Sequence, residues 1–124
     1  MSTRQRTTSY ANFSQVLAQV ATGLWKAIKE ARGNCVSFTP KKILQYAGAD
    51  EDVKPIKLTL VRYILDELVK KDVLYKDDKR YKICKYIVTS DGKICTDEKN
   101  PLWELCKAAD SPDEVIKVLS QLVE

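Results

Sequence analysis

The apolar residues of this chain change their spacing near residue 72, and this change limits the folds it can adopt. Up to Leu68 they recur every three or four positions, which is the period of an amphipathic helix. Between Val73 and Cys84 they alternate with polar residues, which is the period of a strand, and after Pro101 the helical spacing returns. Helices on both sides of a short strand-forming segment predict an α+β domain that is mainly helical.

The segment before this change predicts an arm and a first helix. Residues 1–9 have no apolar residue after Met1, so we expect a flexible basic arm. An apolar stripe runs from Phe13 to Ile28 and predicts a helix of about twenty residues, with Gly33 as its C-terminal cap.

Two shorter helices are predicted next. Thr39-Pro40 is typical of a helix start, since threonine caps the first amide groups and proline fits the first helical position, and the helix is expected to end at Ala47. A third helix begins near Pro55. Its apolar stripe predicts four core residues, Val61, Ile64, Leu65 and Leu68.

Two hairpins and two more helices complete the prediction. The first hairpin turns at Asp77-Asp78-Lys79 and the second at Asp91-Gly92, which is a strong type I′ turn pair. A two-residue turn there would place Val88 opposite Cys95 and leave Cys84 roughly 13 Å from Cys95, beyond disulfide reach. The C-terminal segment 100–124 reads as two acidic helices, the second opened by the capping box that starts at Ser111.

Charge and composition exclude several function classes. Residues 1–100 carry a formal net +7 and residues 101–124 carry −3, and this distribution suggests an anionic partner. The chain has no histidine, which excludes Ser-His-Asp or Cys-His catalysis. No carboxylate pair lies beside a glycine-rich loop or metal motif, so we expect neither an enzyme nor a bound cofactor. Without a long apolar run or an apolar stretch behind the polar start, the sequence predicts a cytoplasmic protein that does not enter a membrane.

The four cysteines leave more than one interpretation open. Cys35, Cys84, Cys95 and Cys106 form no closely spaced pair, so we expect no metal site. The even number allows a disulfide, which is rare in the cytosol except in hyperthermophiles. The alternative is that all four are small apolar fillers.

The order of elements between Thr39 and Cys84 resembles the winged helix-turn-helix family. FTPKKILQYAGA is similar to its positioning helix, KLTLVRYILDELVKKDVL to its recognition helix, and LYKDDKRYKI to its β-hairpin wing. The usual glycine before the wing is here Asp72, which tolerates the left-handed conformation better than most residues do. The resemblance implies three helices plus a wing over residues 10–99, with the second hairpin and the C-terminal helices added.

A helix of this kind fits the major groove of double-stranded DNA, where base edges offer a distinct donor and acceptor code. Arg62 is suited to guanine, Thr59 to a base edge or thymine methyl group, and Tyr63 to a phosphate or a stacked base. We expect Lys54 and Lys57 to contact phosphates where the helix enters the groove. The basic residues of the wing are suited to the flanking backbone or the minor groove, and they are Lys76, Lys79, Arg80 and Lys82.

These residues predict a DNA-binding protein that regulates transcription. The alternative is a winged-helix adaptor that binds proteins in a nucleic-acid-processing complex. The modest net charge, Asp66 on the exposed face of the third helix and the acidic, partly apolar last helix favour the alternative. Asp77 and Asp78 at the hairpin tip favour a further possibility, in which the hairpin lysines only protect a strand edge from aggregation, because carboxylates repel phosphates. Leu119, Leu122 and Val123 give the last helix an apolar face, which either completes the core or forms a homodimer seam.

Overall fold

Five helices and five short strands form along residues 2–51 and 53–123, which are the residues that the computed structural model describes; the side chains of residues 2–12, 95 and 96 are outside the description. The predicted α+β, mainly helical class is confirmed. In chain order the elements are α1 (Ser2–Glu30), β1 (Cys35–Phe38), α2 (Pro40–Tyr46), α3 (Pro55–Lys70), β2 (Tyr75–Asp77), β3 (Arg80–Cys84), β4 (Tyr86–Val88), β5 (Ile94–Lys99), α4 (Pro101–Ala108) and α5 (Asp113–Val123).

Helix α1 starts earlier and ends earlier than the sequence predicts. It begins at Ser2, so the backbone of the expected arm is helical, and the flexibility of that arm stays a prediction. It ends at Glu30 rather than Gly33, because the chain bends over residues 32–34 to enter β1. Near its middle, Gly23 lets α2 approach, since a Cβ there would overlap the carbonyl oxygen of Ile43.

Helices α2 and α3 follow the predicted start and stop signals. The Thr39 hydroxyl accepts a hydrogen bond from the amide of Lys42 at 3.3 Å, and Pro40 occupies the first helical position. Past the end of α2, Gly48 adopts a φ of 70°, a conformation that L side chains rarely take. After α3, Asp72 adopts a φ of 64°, the left-handed conformation that the sequence led us to expect at this position. All four predicted core residues of α3 are buried.

A three-stranded antiparallel sheet follows, with the strand order β1-β3-β2. Its central strand pairs with β1 so that Cys35 lies opposite Cys84, and these two residues form a disulfide. The expectation that Cys84 is not bonded to Cys95 is therefore confirmed. The interpretation of all four cysteines as fillers is wrong for this pair. The two cysteines are 49 residues apart in the sequence, and only the pairing of β1 with β3 makes them direct neighbours. Cys106 is a buried filler, and burial raises the pKa of its thiol to about 12.

The second hairpin forms as expected but with a different register. Val88 lies opposite Ile94, and Ile87 opposite Cys95, so the predicted pairing of Val88 with Cys95 is wrong by one residue. The reason is a longer loop, which Thr89 closes: its amide donates to the Lys93 carbonyl at 2.8 Å, and its hydroxyl accepts from the Lys93 amide at 3.2 Å.

The C-terminal helices complete the core on α1. Asn100, which is buried, caps α4 by accepting a hydrogen bond from the Leu102 amide at 3.0 Å, and its side-chain amide donates to the Val73 carbonyl at 2.8 Å. Helix α5 buries Val115, Leu119 and Val123 against the same core. In residues 2–51 and 53–123, no helix is both long and apolar enough to cross a membrane.

Candidate functional site

Helix α3 has an exposed face between the first hairpin, formed by β2 and β3, and helix α1. Its core face is set by the apolar stripe, so the residues between those positions face outward at helical spacing. Lys54 occupies the N-cap position of α3 in an extended conformation, without a side-chain capping bond, and is exposed. Thr59 and Arg62 are exposed on the helix itself. All three predicted residues are therefore accessible to a partner.

A groove with an excess of positive charge lies along this face. It has a volume of about 370 Å³ and is bounded by the start of α2, by α3 and by the first hairpin. Four of its lining residues are basic and one is acidic, so we call it the cationic groove. Its lining is Thr39, Pro40, Lys41, Leu58, Arg62, Lys76, Asp78, Lys79 and Tyr81.

The structure changes the significance of Asp66, the acid on the exposed face of α3. Its Oδ1 accepts a hydrogen bond from the Tyr81 hydroxyl at 2.7 Å and forms an ion pair with the Lys76 ammonium at 3.1 Å. Lys76 thus compensates the carboxylate charge. Burial, and then the hydrogen bond to Asp66, raise the pKa of the Tyr81 hydroxyl well above its usual range. The same contacts join α3 to the first hairpin and fix their relative position.

Several predicted contact residues already have partners within the chain. The Lys57 ammonium donates to the Ala49 carbonyl at 3.2 Å, so it supports the loop between α2 and α3. The Thr59 hydroxyl donates to the Pro55 carbonyl at 3.0 Å. Tyr63 is half exposed, and its ring meets the edge of Phe13 at 6.3 Å between centroids, which links α3 to α1.

The basic residues of the first hairpin separate into two groups. Lys76 and Lys79 line the cationic groove. On β3, Arg80 is exposed and Lys82 is half-buried, and they alternate with Tyr81, which is buried. Because successive strand residues point to opposite faces, Arg80 and Lys82 lie on the face of the hairpin away from Tyr81.

Lys41 lines the cationic groove but was not among the predicted contact residues. It is exposed and occupies the second residue of α2, directly after Pro40. The Thr39-Pro40 start signal could have revealed it, because that signal fixes which residues belong to the first turn of α2. The contact of α2 with the groove depends on packing between distant elements, which the signal alone does not give.

A second depression of about 510 Å³ lies between the end of α3 and the second hairpin, which β4 and β5 form. Lys71 and Lys99 on its wall are balanced by Asp72 and Glu98, so it has no excess charge of either sign. Among the described side chains, no three His, Cys, Asp or Glu residues are grouped closely enough to hold a metal ion.

Comparison of the chain with models of known protein families, with curated protein sequences and with solved structures finds no match.

Proposed function

We propose that residues 10–99 form a winged helix-turn-helix domain with an added second hairpin. The support is the order of three helices and three strands together with the sheet order β1-β3-β2, in which the second wing strand, β3, pairs with a strand between the first two helices. In this assignment α3 is the recognition helix and the first hairpin is the wing.

We infer that this domain binds double-stranded DNA and regulates transcription. The observation that carries the proposal is the cationic groove, which runs beside the exposed face of α3. Phosphate contacts supply affinity and fix orientation, so a groove of this charge next to a helix brings that helix onto the duplex. Asp66 is the acidic residue of α3 whose charge would most oppose phosphate binding, and its ion pair with Lys76 compensates that charge.

The proposed contacts fall into two classes. Arg62 reads guanine, because its guanidinium can bond both O6 and N7 in the major groove. Lys41 on α2 and Lys79 on the first hairpin bind phosphates in the groove, and Lys54 and Arg80 bind the backbone outside it. Lys57, Thr59, Tyr63, Lys76 and Lys82 serve mainly to position these residues, since each has a partner in the chain or is half-buried.

A protein adaptor is the second candidate, favoured by one observation. Asp77 and Asp78 are exposed at the tip of the first hairpin, and Asp78 lines the cationic groove, so a partner with both charges would fit the tip better than a phosphate would.

We also propose that the protein is located in the cytoplasm. The disulfide between Cys35 and Cys84 then favours the kind of intracellular setting found in hyperthermophiles. A homodimer through α4 and α5 remains a proposal. Its support is reduced, because Leu119 and Val123 are buried within the chain and Leu122 is partly buried.

Binding to duplex DNA at ~50 mM and ~150 mM salt tests the function, measured by fluorescence anisotropy on a mixed-sequence duplex and on a site selected from a random pool. Arg62→Ala should weaken binding to the selected site more than to the mixed duplex. Lys79→Ala with Arg80→Ala should weaken both and lower the slope of log affinity against log salt by about two.

The matched control is Lys93→Ala with Lys99→Ala, which removes the same charge from the second hairpin. It should leave the affinity nearly unchanged. If the protein binds no duplex at ~50 mM salt, where phosphate neutralisation is strongest, the DNA proposal is wrong and the adaptor is favoured.

A further inference from the structure

Ile56 is unusually exposed for a large apolar residue. The residue is 71% exposed, whereas the other exposed large apolar residues in the described part of the chain, Tyr63 and Ile94, reach 49% and 45%. Ile56 lies in the first turn of α3, directly after Pro55. Burying this side chain against a partner would be favourable, because apolar surface is removed from water.

Ile56 lies on the same exposed ridge as Thr59 and as Arg62, the residue proposed to read guanine. Ile56, Thr59 and Arg62 are spaced three apart, so their side chains are neighbours along α3. Thr59 uses its hydroxyl to bond the Pro55 carbonyl, which leaves its methyl group available for contact. The ridge is therefore apolar at the start of α3 and cationic at Arg62.

The charge beside the ridge indicates which partner covers it. Lys41 and Lys79 line the groove next to Arg62, so a polyanion bound there passes over the exposed face of α3. On the base edges of the major groove, the C5 methyl group of thymine is the main apolar feature, and apolar side chains select it.

We propose that Ile56 determines specificity by contacting the methyl group of a thymine. The proposal rests on the proposed function, because it requires α3 to lie in the major groove. Ile56 and Arg62 are six residues apart, which is about 9 Å along a helix. Successive base pairs are about 3.4 Å apart, so the thymine lies two to three base pairs from the guanine that Arg62 reads.

The test replaces thymines of a selected site, one at a time, by deoxyuridine, which lacks only the methyl group. For the natural protein, one replacement should weaken binding about fourfold, the equivalent of burying one methyl group. That thymine should lie two to three base pairs from the guanine that Arg62 reads. This guanine is identified because its replacement weakens DNA binding by the Arg62→Ala variant less than it weakens binding by the natural protein. With Ile56→Ala, the replacement of the same thymine should have no effect.

Ile94→Ala is the matched control, since it removes an exposed isoleucine from β5. It should retain the fourfold discrimination. Both variants should keep the melting temperature within about 2 °C of the natural protein, because their side chains are exposed.

The outcomes separate the two proposals. Absence of duplex binding at ~50 mM salt overturns the proposed function and this inference with it. Binding in which Ile56→Ala discriminates thymine from deoxyuridine as the natural protein does overturns this inference alone. A protein partner whose binding is weakened by Ile56→Ala, with DNA discrimination unchanged, also overturns it and assigns the ridge to protein docking.

Discussion

The two hairpins of this protein differ in how they are attached to the helices. The first hairpin shares a sheet with β1, is linked to it by the Cys35–Cys84 disulfide, and contacts α3 through Tyr81 and Asp66. The second hairpin forms a separate two-stranded sheet. Its connection to the core includes the backbone bond from the Asn100 amide to the Lys85 carbonyl at 2.8 Å.

This difference indicates which hairpin is better positioned for the proposed binding. A binding site requires groups held in a defined relation to each other, and only contacts between elements supply it. The first hairpin has such contacts on the side that faces α3, and there it lines the cationic groove. The second hairpin borders a depression with balanced charge. The proposed binding therefore involves the first hairpin, and the second hairpin has a supporting role in that proposal.

Removing the disulfide should produce the largest effect on this contrast. The bond closes a loop of 49 residues that contains α2, α3 and most of the first hairpin. Loop-closure entropy gives it a stabilisation of about 4 kcal/mol. Cys35→Ser should therefore lower the melting temperature by about 10–20 °C, measured by circular dichroism.

Reduction of the natural protein with dithiothreitol should give a similar loss, and dithiothreitol should not change the Cys35→Ser variant further. A natural protein whose melting temperature is the same with and without dithiothreitol, while its thiol count increases by two, would show that the disulfide does not hold the first hairpin.

Asn100→Ala should produce the next largest effect, at the base of the second hairpin. The substitution removes the cap of α4 and leaves the Val73 carbonyl without its partner in a buried position. We expect a loss of about 2–3 kcal/mol in the free energy of unfolding, measured by urea denaturation. The control is Asn34→Ala, because Asn34 is exposed and accepts a hydrogen bond through its backbone carbonyl. Equal losses in both variants would contradict the anchoring role of the Asn100 side chain.

Asp66→Asn should have a smaller effect on stability. It removes the ion pair with Lys76, and since both side chains are more than a third exposed, solvent screening limits the loss to less than about 1 kcal/mol. The clearer readout is the pKa of Tyr81, which should fall in the variant because the negative charge beside the hydroxyl is removed.

The sign of the pH dependence follows from that pKa. Because folding raises it, the unfolded chain loses the Tyr81 proton first on going to high pH. The stability contributed by Tyr81 is thus complete below about pH 10 and decreases as the pH rises above it. Tyrosinate absorbance should show one of the six tyrosines titrating last, and earlier in Asp66→Asn. If the last tyrosine to titrate has the same pKa in the natural protein and in Asp66→Asn, the hydrogen bond between Tyr81 and Asp66 is contradicted.

Asp72→Gly should have the smallest effect and the opposite sign. Asp72 has a φ of 64°, where glycine meets no steric penalty, so we expect a gain of about 0.5 kcal/mol at the entry to the first hairpin. The control is Lys71→Gly, which changes the neighbouring residue, whose φ is −88°, and should destabilise the protein. Val73→Gly is not a suitable control, because Val73 is buried. Destabilisation of similar size by both substitutions would show that Asp72 is not under backbone strain.

The sequence predicted the elements that local signals define. The start of α2 at Thr39-Pro40, the four buried residues of α3 and the unusual conformation of Asp72 all depend on residues close in the chain, and all are confirmed. Of the candidate site, Arg62, Lys76 and Lys79 were identified and do line one groove.

The remaining features depend on contacts between distant residues. Cys35 and Cys84 are brought together by strand pairing, and Lys41 joins the groove only because α2 packs beside α3. The register of the second hairpin differs because Thr89 closes a loop longer than the Asp-Gly pair indicates. Apolar spacing and turn pairs carry no direct information about such contacts.

Backbone amide chemical shifts, mapped by NMR while the protein is titrated with the selected duplex, show which elements contact DNA. We expect the largest changes in α3, around Ile56 and Arg62, and at Lys79 and Arg80 of the first hairpin, with small changes in the second hairpin. The largest changes in β4, β5 or α5, or none at all at ~50 mM salt, where phosphate neutralisation is strongest, would contradict binding through α3 and the first hairpin.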